Sequence, residues 1–326
     1  MLGITATFRV LLGIAESPFI PATVASVAMA VPDEKRRGSF SAFMQSGAQL
    51  GPAAGVFFAA LILKTLHTPT MVFVIFALAG FAVALGWWLY ARNRAEPAPS
   101  DTAAQSAEAQ LRAQQRTVHW SKLWLTPALW PLFIGYSALP YCQYLFLTWL
   151  PQYLTHYRHI EIVNAGMLSA LPFVAAFISA NITGLLMDWM TVNGWTRYGL
   201  HRKLFIYIGA VLFAVSTLVA ANAASATLAV WMIIVANIGL GIYVYPFWTL
   251  VADISAKQSG SLGGVMNFWG ILGATISPFI SGVIANATHA FVVPLDFAAC
   301  VMVAAALIAA IFLKVRPLSE LVGETA

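Results

Sequence analysis

Long apolar runs separated by short polar loops constrain this chain more than any other feature. About nine such runs can be marked in the 326 residues: roughly 3–30, 39–63, 70–91, 128–154, 165–188, 203–222, 226–252, 260–286 and 292–313. An apolar run of about 20 residues, wound as a helix, crosses the hydrocarbon of a bilayer. Inside lipid every backbone N–H and C=O needs a partner within the protein, which an α-helix supplies to itself. Composition agrees, since 60% of residues are hydrophobic and 9% charged, against about 25% charged in a soluble domain. The expected fold class is therefore all-α, a polytopic membrane helix bundle, and a soluble enzyme is excluded. Cys142 and Cys300 both fall in apolar runs and make no disulfide framework. Arg9 interrupts the first run, and no basic segment precedes it, so the start does not read as a signal peptide.

The net charge of +5 does not call for nucleic acid as a partner, because the basic residues lie between the spans. They are also unevenly shared between the two ends. Lys35, Arg36, Arg37, Arg92, Arg94, Arg112, Arg116, Lys122, Arg197, Arg202, Lys203, Lys257, Lys314 and Arg316 fall in one set of alternate loops. Lys64 and Arg158 alone fall in the other set, with Arg9 inside a span. Lys and Arg accumulate on the cytoplasmic side, so the expectation is a multi-pass protein of the cell inner (plasma) membrane with its C-terminus cytoplasmic.

Residues 93–122 break the pattern. Asn93-Arg94-Ala95-Glu96-Pro97-Ala98-Pro99-Ser100-Asp101 is polar and proline-bearing, and reads as a cytoplasmic linker. It divides the chain into a three-span part, 1–92, and a six-span part, 123–326. The lopsided count matches a six-plus-six protein whose first three helices are absent from this sequence. A repeat supports the two-half reading. At a shift of 222 residues, Gly38-Ser39 lies over Gly260-Ser261, Met44 over Met266, Leu50-Gly51 over Leu272-Gly273, and Gln45 over Asn267. Transporters built from such halves bind substrate near the midplane between them.

Few residues inside the spans carry chemistry. Glu16 lies mid-span, where an unpaired carboxylate costs about 3 kcal/mol on insertion scales; it is read as a proton-coupling acid. Arg9, two helical turns away, is its expected partner. The bland alternative is a static ion pair. Gln45, Gln49 and Asn267 are intramembrane amides, able to donate to carboxylates and accept from hydroxyls without bringing charge, or to act as helix–helix glue. Tyr136, Gln143 and Tyr144 cluster among prolines in one span, and Phe247 and Trp248 beside Pro246 in another; they are candidate cavity-lining residues. Gly47, Gly51 and Gly55, and Gly263, Gly264, Gly270 and Gly273, have close-packing spacing. Asp188 and Asp253 end their spans beside basic residues and are read as a cytoplasmic gate. Asp296 is read as interfacial.

Other chemistries lack their residues. The histidines (67, 119, 156, 159, 201 and 289 by position) all lie in loops or at span ends with no metal-ligand spacing, and no paired intramembrane aspartates occur. A phosphate-cradling glycine loop followed by Lys-Ser/Thr is likewise missing. Neither a cofactor nor a metal is expected.

Several motifs together resemble the anion:cation symporter family of the major facilitator superfamily. Arg9-Val-Leu-Leu-Gly13-Ile-Ala-Glu16-Ser-Pro18-Phe-Ile-Pro21 is similar to the family's helix 4, and Pro32-Asp-Glu34-Lys-Arg36 to the loop after it. Phe146-Leu-Thr-Trp149-Leu-Pro151-Gln-Tyr153-Leu resembles helix 7. Ala165-Gly166, Leu171-Pro172-Phe173, Gly184 and Asp188 resemble helix 8, and Gly263-Gly264-Val-Met-Asn267 with Gly273 and Pro278 resembles helix 11. The resemblance implies a major facilitator fold and proton-coupled symport of a small organic anion, such as a sugar acid, by alternating access in a monomer. It implies that Glu16 is the helix-4 protonation site with Arg9 as companion, and that Asn267 is a helix-11 substrate ligand. The family's helix-5 glutamine falls beside Ala48, leaving Gln45 and Gln49 as neighbouring substitutes. The family's helix-1 cation lies outside this chain. The competing expectations are efflux of amphipathic compounds and a truncated, non-transporting remnant.

Overall fold

The computed structural model describes residues 2–16, 19, 37–93, 120–157, 159–195, 199–255, 258–290 and 292–323, and the described secondary structure is helical throughout. In chain order the helices are α1 (Leu2–Glu16), α2 (Arg37–Leu66), α3 (Pro69–Asn93), the short α4 (Trp120–Leu125), α5 (Trp130–Gln152), α6 (Ile162–Val192), α7 (Leu200–Ala221), α8 (Ala226–Ile254), α9 (Ser259–Thr288), α10 (Val292–Phe312) and the short α11 (Leu318–Gly323). A 3-10 turn, Pro127–Leu129, precedes α5, and a π turn, Tyr153–Tyr157, follows it immediately after Pro151. Most of the expected linker, residues 94–119, lies outside the described residues; its last turn is α4.

Seven helices, not nine, are long and apolar enough to cross a membrane among the described residues. Two expected spans fall short for different reasons. The first is described as a helix only over Leu2–Glu16, fifteen residues. The span at α5 is long enough, 23 residues, but its three tyrosines, Gln143 and prolines dilute its hydropathy. It is nonetheless an inner helix, packed along α9 and α10.

The internal repeat is visible in the helix limits. Under the shift of 222 residues, α2 maps onto α9 end for end, Arg37 on Ser259 and Leu66 on Thr288, each 30 residues long. His67 and His289 are equivalent and both close their helices in the left-handed conformation, φ 51°. Such C-terminal left-handed residues end many helices.

Close approaches at small residues organise the second half. An added Cβ at Gly239 of α8 would lie 2.7 Å from the Gly209 carbonyl oxygen of α7, and one at Gly241 would collide with Ser179 and the Ala176 backbone of α6. On α9, Gly270 faces the Tyr136 ring and Gly273 the Ser137 carbonyl, both of α5. Lipid is as apolar as a leucine side chain, so helices associate through such packing rather than through burial from water. α2 runs along α6, with Ala60 against Gly166. Gly47, Gly51 and Gly55 of α2 make no comparable approach: an added Cβ at each meets nothing within 4 Å among the described residues. The close-packing expectation thus holds for Gly263, Gly270 and Gly273 and is corrected for the α2 series.

Candidate functional site

Two of the expected polar residues come together between α2 and α5. Gln143 of α5 donates from Nε2 to Gln49 Oε1 of α2 at 2.8 Å. Gln49 is only 5% exposed, while Gln143 is half-buried, so the bond satisfies a buried amide at Gln49, where an unmade hydrogen bond is costly. The bond leaves the Gln49 amide N–H groups and the Gln143 carbonyl oxygen for another partner.

Two turns away on α5, the aromatic residues form a packed cluster. Tyr136 meets Phe247 and Trp248 edge-on at centroid distances of 6.0 and 5.6 Å. Phe247 also leans on Tyr243 at 5.0 Å, and the Tyr243 hydroxyl donates to the Gly135 carbonyl at 2.7 Å, tying α8 to α5. Phe247 is fully buried, and its ring fills the space over Gly135. Its expected cavity-lining position is therefore corrected to a core position, and Tyr136 is buried with it. Gly263 lies under the Trp248 ring, 3.2 Å from an added Cβ, which explains a glycine there. Tyr144 stands apart and exposed on α5.

Asn267 is half-buried, one turn from Gly263 and from Gly270 on α9, with no hydrogen-bond partner among the described residues. Its level follows from the register of α9 on α5. Gly270 faces Tyr136, Gly273 faces Ser137, and the Ser277 hydroxyl donates to the Tyr141 carbonyl at 2.7 Å. Asn267 therefore lies some ten residues along α5 from Gln143, roughly 15 Å at 1.5 Å per residue. The expected amide ligands occupy two levels, not one.

Glu16 is exposed, as is every described side chain of α1, and no described helix packs along α1. The expectation of a buried carboxylate is corrected accordingly: nothing among the described helices covers it. The side chains of Arg9 and Gln45 lie outside the described residues.

At the basic end of the second half a charged cluster closes α6, α7 and α8 together. Arg202 of α7 forms an ion pair with Asp253 of α8, and Asp188 of α6 and Tyr245 of α8 lie within its electrostatic range. The ion pair joins two helices of one half. Asp253 therefore braces the bundle itself, which differs from the expected gate across the passage. Arg202 was legible only as a loop cation; two carboxylates ending their spans at the same face were the signal that one basic residue must fold inward.

Comparisons with known proteins bear on the family and the fold. A family model described as Major Facilitator Superfamily matches residues 2–278. The probable L-galactonate transporter of Escherichia coli (strain K12) is 27% identical over 325 residues, covering 96% of this chain and 69% of that protein. The probable galactarate/D-glucarate transporter GudP of Bacillus subtilis (strain 168) is 30% identical over 331 residues, covering 96% and 70%. Among solved structures, the Escherichia coli fucose:proton symporter FucP superposes with a TM-score of 0.53 at 16% identity, covering 91% of this chain and 73% of that one. A bacterial homolog to the human lysosomal transporter Spinster gives 0.52 at 17% identity, covering 86% and 67%. At these identities the structural likeness shows the fold alone.

Proposed function

The chain belongs to the Major Facilitator Superfamily, and we propose that it carries a small organic anion of the sugar-acid class across a membrane together with protons. The observation that carries this reading is the likeness, along 96% of the chain, to transporters of galactonate and of galactarate or glucarate. It is a transport protein, not an enzyme.

The polar groups suit such a cargo. A sugar acid offers a carboxylate and a row of hydroxyls. The free amide N–H groups of Gln49 donate to the former, and the Gln143 carbonyl oxygen and Asn267 serve the latter. The separation of the Gln49–Gln143 and Asn267 levels favours an extended, polyhydroxylated ligand. The Lys- and Arg-rich loops face the cytoplasm in this reading. Residues 1–92 and 123–326 then act as parts of two rocking halves around α2 and α6. Glu16 serves as the coupling acid with Arg9 as its partner, supported by the similarity of residues 9–21 to the family's helix 4. Neutralising Glu16 releases Arg9 and permits the next state.

The test is transport in proteoliposomes with Glu16→Gln. Exchange of labelled galactonate or glucarate at equal pH persists, while accumulation driven by a pH gradient is lost. Unchanged gradient-driven accumulation removes Glu16 from the mechanism.

A further inference from the structure

We propose that the groove between α7 and α10, at the end of the bundle where the basic loops lie, binds an anionic phospholipid. Lys203 takes the phosphate and the exposed apolar side chains beyond it take the acyl chains. Lys203 is the fourth residue of α7 and half-buried. Its Nζ donates to the Ala310 carbonyl of α10 at 3.2 Å. Ala310 lies in the last turn of α10, where carbonyls lack helical partners. That bond fixes the ammonium at the seam of the two helices and uses one of its three N–H donors.

The helices at this seam supply no carboxylate to Lys203. Arg202, one residue earlier and about 100° round the helix, turns to α8 and pairs with Asp253, and Asp188 of α6 belongs to the same cluster. α7 carries no acidic residue at all. The acid of α10, Asp296, is fourteen residues before Ala310, roughly 21 Å along the helix at 1.5 Å per residue. Cations, by contrast, gather at the mouth. An added Cβ at Gly199 would lie 3.0 Å from Val315 Cγ2, so the segment after α10 crosses the start of α7. Lys314 and Arg316 stand on either side of Val315, and Glu320 of α11 is the acid that follows them. With Arg202 paired to Asp253, three cations face one carboxylate there among the described residues.

The seam continues as an apolar groove. Gly199 meets Val315 and Lys203 meets Ala310, so α7 and α10 run antiparallel with their outer stripes side by side. Tyr207 and Val211 follow Lys203 at one and two turns, and Leu307 and Val303 precede Ala310 at one and two turns. All four are exposed. A fixed cation at the mouth of an apolar groove within a bilayer fits a phospholipid, phosphate on the ammonium and chains along the stripe. A zwitterionic headgroup would add its own cation to a mouth already cationic, which favours an anionic one. This inference requires only that the helices span a bilayer, not that the cargo is a sugar acid. With the orientation proposed above, the lipid belongs to the inner leaflet.

Native mass spectrometry of the purified full chain in detergent, titrated with phosphatidylglycerol or with phosphatidylcholine of matched chains, tests it. The native chain should retain phosphatidylglycerol in preference, a comparison that needs no variant. Lys203→Gln keeps a donor for the Ala310 carbonyl and removes the charge. It should weaken phosphatidylglycerol retention by about five-fold, the effect of one basic residue near an anionic lipid surface, and leave phosphatidylcholine unchanged. Lys203→Arg should keep the preference, and Lys64→Gln, in the other set of loops, should leave it at native strength. Equal retention of the two lipids by the native chain, or an undiminished preference in Lys203→Gln, overturns the proposal. Displacement of phosphatidylglycerol by an equal concentration of inorganic phosphate also overturns it, because the groove would then contribute nothing.

Discussion

Gln49 and Gln143 carry the most information at the scale of single residues. Each was legible as an intramembrane amide, because an uncharged hydrogen-bonding group deep in an apolar run has few reasons to be there. That they bond to each other was not legible, since they lie 94 residues apart and on different helices. The pairing makes a definite energetic prediction. Gln143→Leu strands a buried amide at Gln49 and should cost about 1–3 kcal/mol, whereas Gln49→Leu with Gln143→Leu together should cost less than the single change. A double-mutant cycle on thermal unfolding in detergent checks this, and additive losses contradict it. Phe247 shows the opposite limit of sequence reading. Position beside Pro246 pointed to a cavity, but the glycine at 135 that receives its ring sits on another helix, so burial was not apparent until the packing was known.

Glycine spacing along a helix is readable, but the partner that makes it matter is not. Gly47, Gly51 and Gly55 repeat every four residues, yet an added Cβ at each meets nothing within 4 Å among the described residues, while one at Gly239 would lie 2.7 Å from backbone of α7. Gly239→Ala should therefore destabilise by about 1–3 kcal/mol, because backbone atoms cannot swing aside. Gly47→Ala should be neutral or mildly stabilising, since alanine is the better helix former. Comparing the two midpoints in one detergent separates a packed glycine from a spaced one. Helix ends give a second prediction. His67 and His289 hold left-handed backbone that costs a non-glycine residue about 1–2 kcal/mol. His67→Gly and His289→Gly should each raise the unfolding midpoint, and a fall would mean that the imidazoles make stabilising contacts of their own.

For the molecule as a whole, the all-helical membrane class and the repeat could be read before any coordinates, because hydropathy and a fixed offset are properties of the chain itself, whereas the count of about nine spans exceeds the seven that the described residues supply. The end-for-end match of α2 with α9 turns the repeat from a few identities into geometry. How α2 meets α6, through Ala60 and Gly166, depends on long-range packing that no local pattern encodes. The central claim is that this assembly moves a sugar acid with protons, and one measurement addresses it most directly. Proteoliposomes containing the chain are given labelled galactonate or glucarate with the acid side outside. The account predicts accumulation that grows with the pH difference and collapses when a protonophore dissipates it. Uptake indifferent to the pH difference, or movement of amphipathic dyes with no competition from either sugar acid, would contradict it.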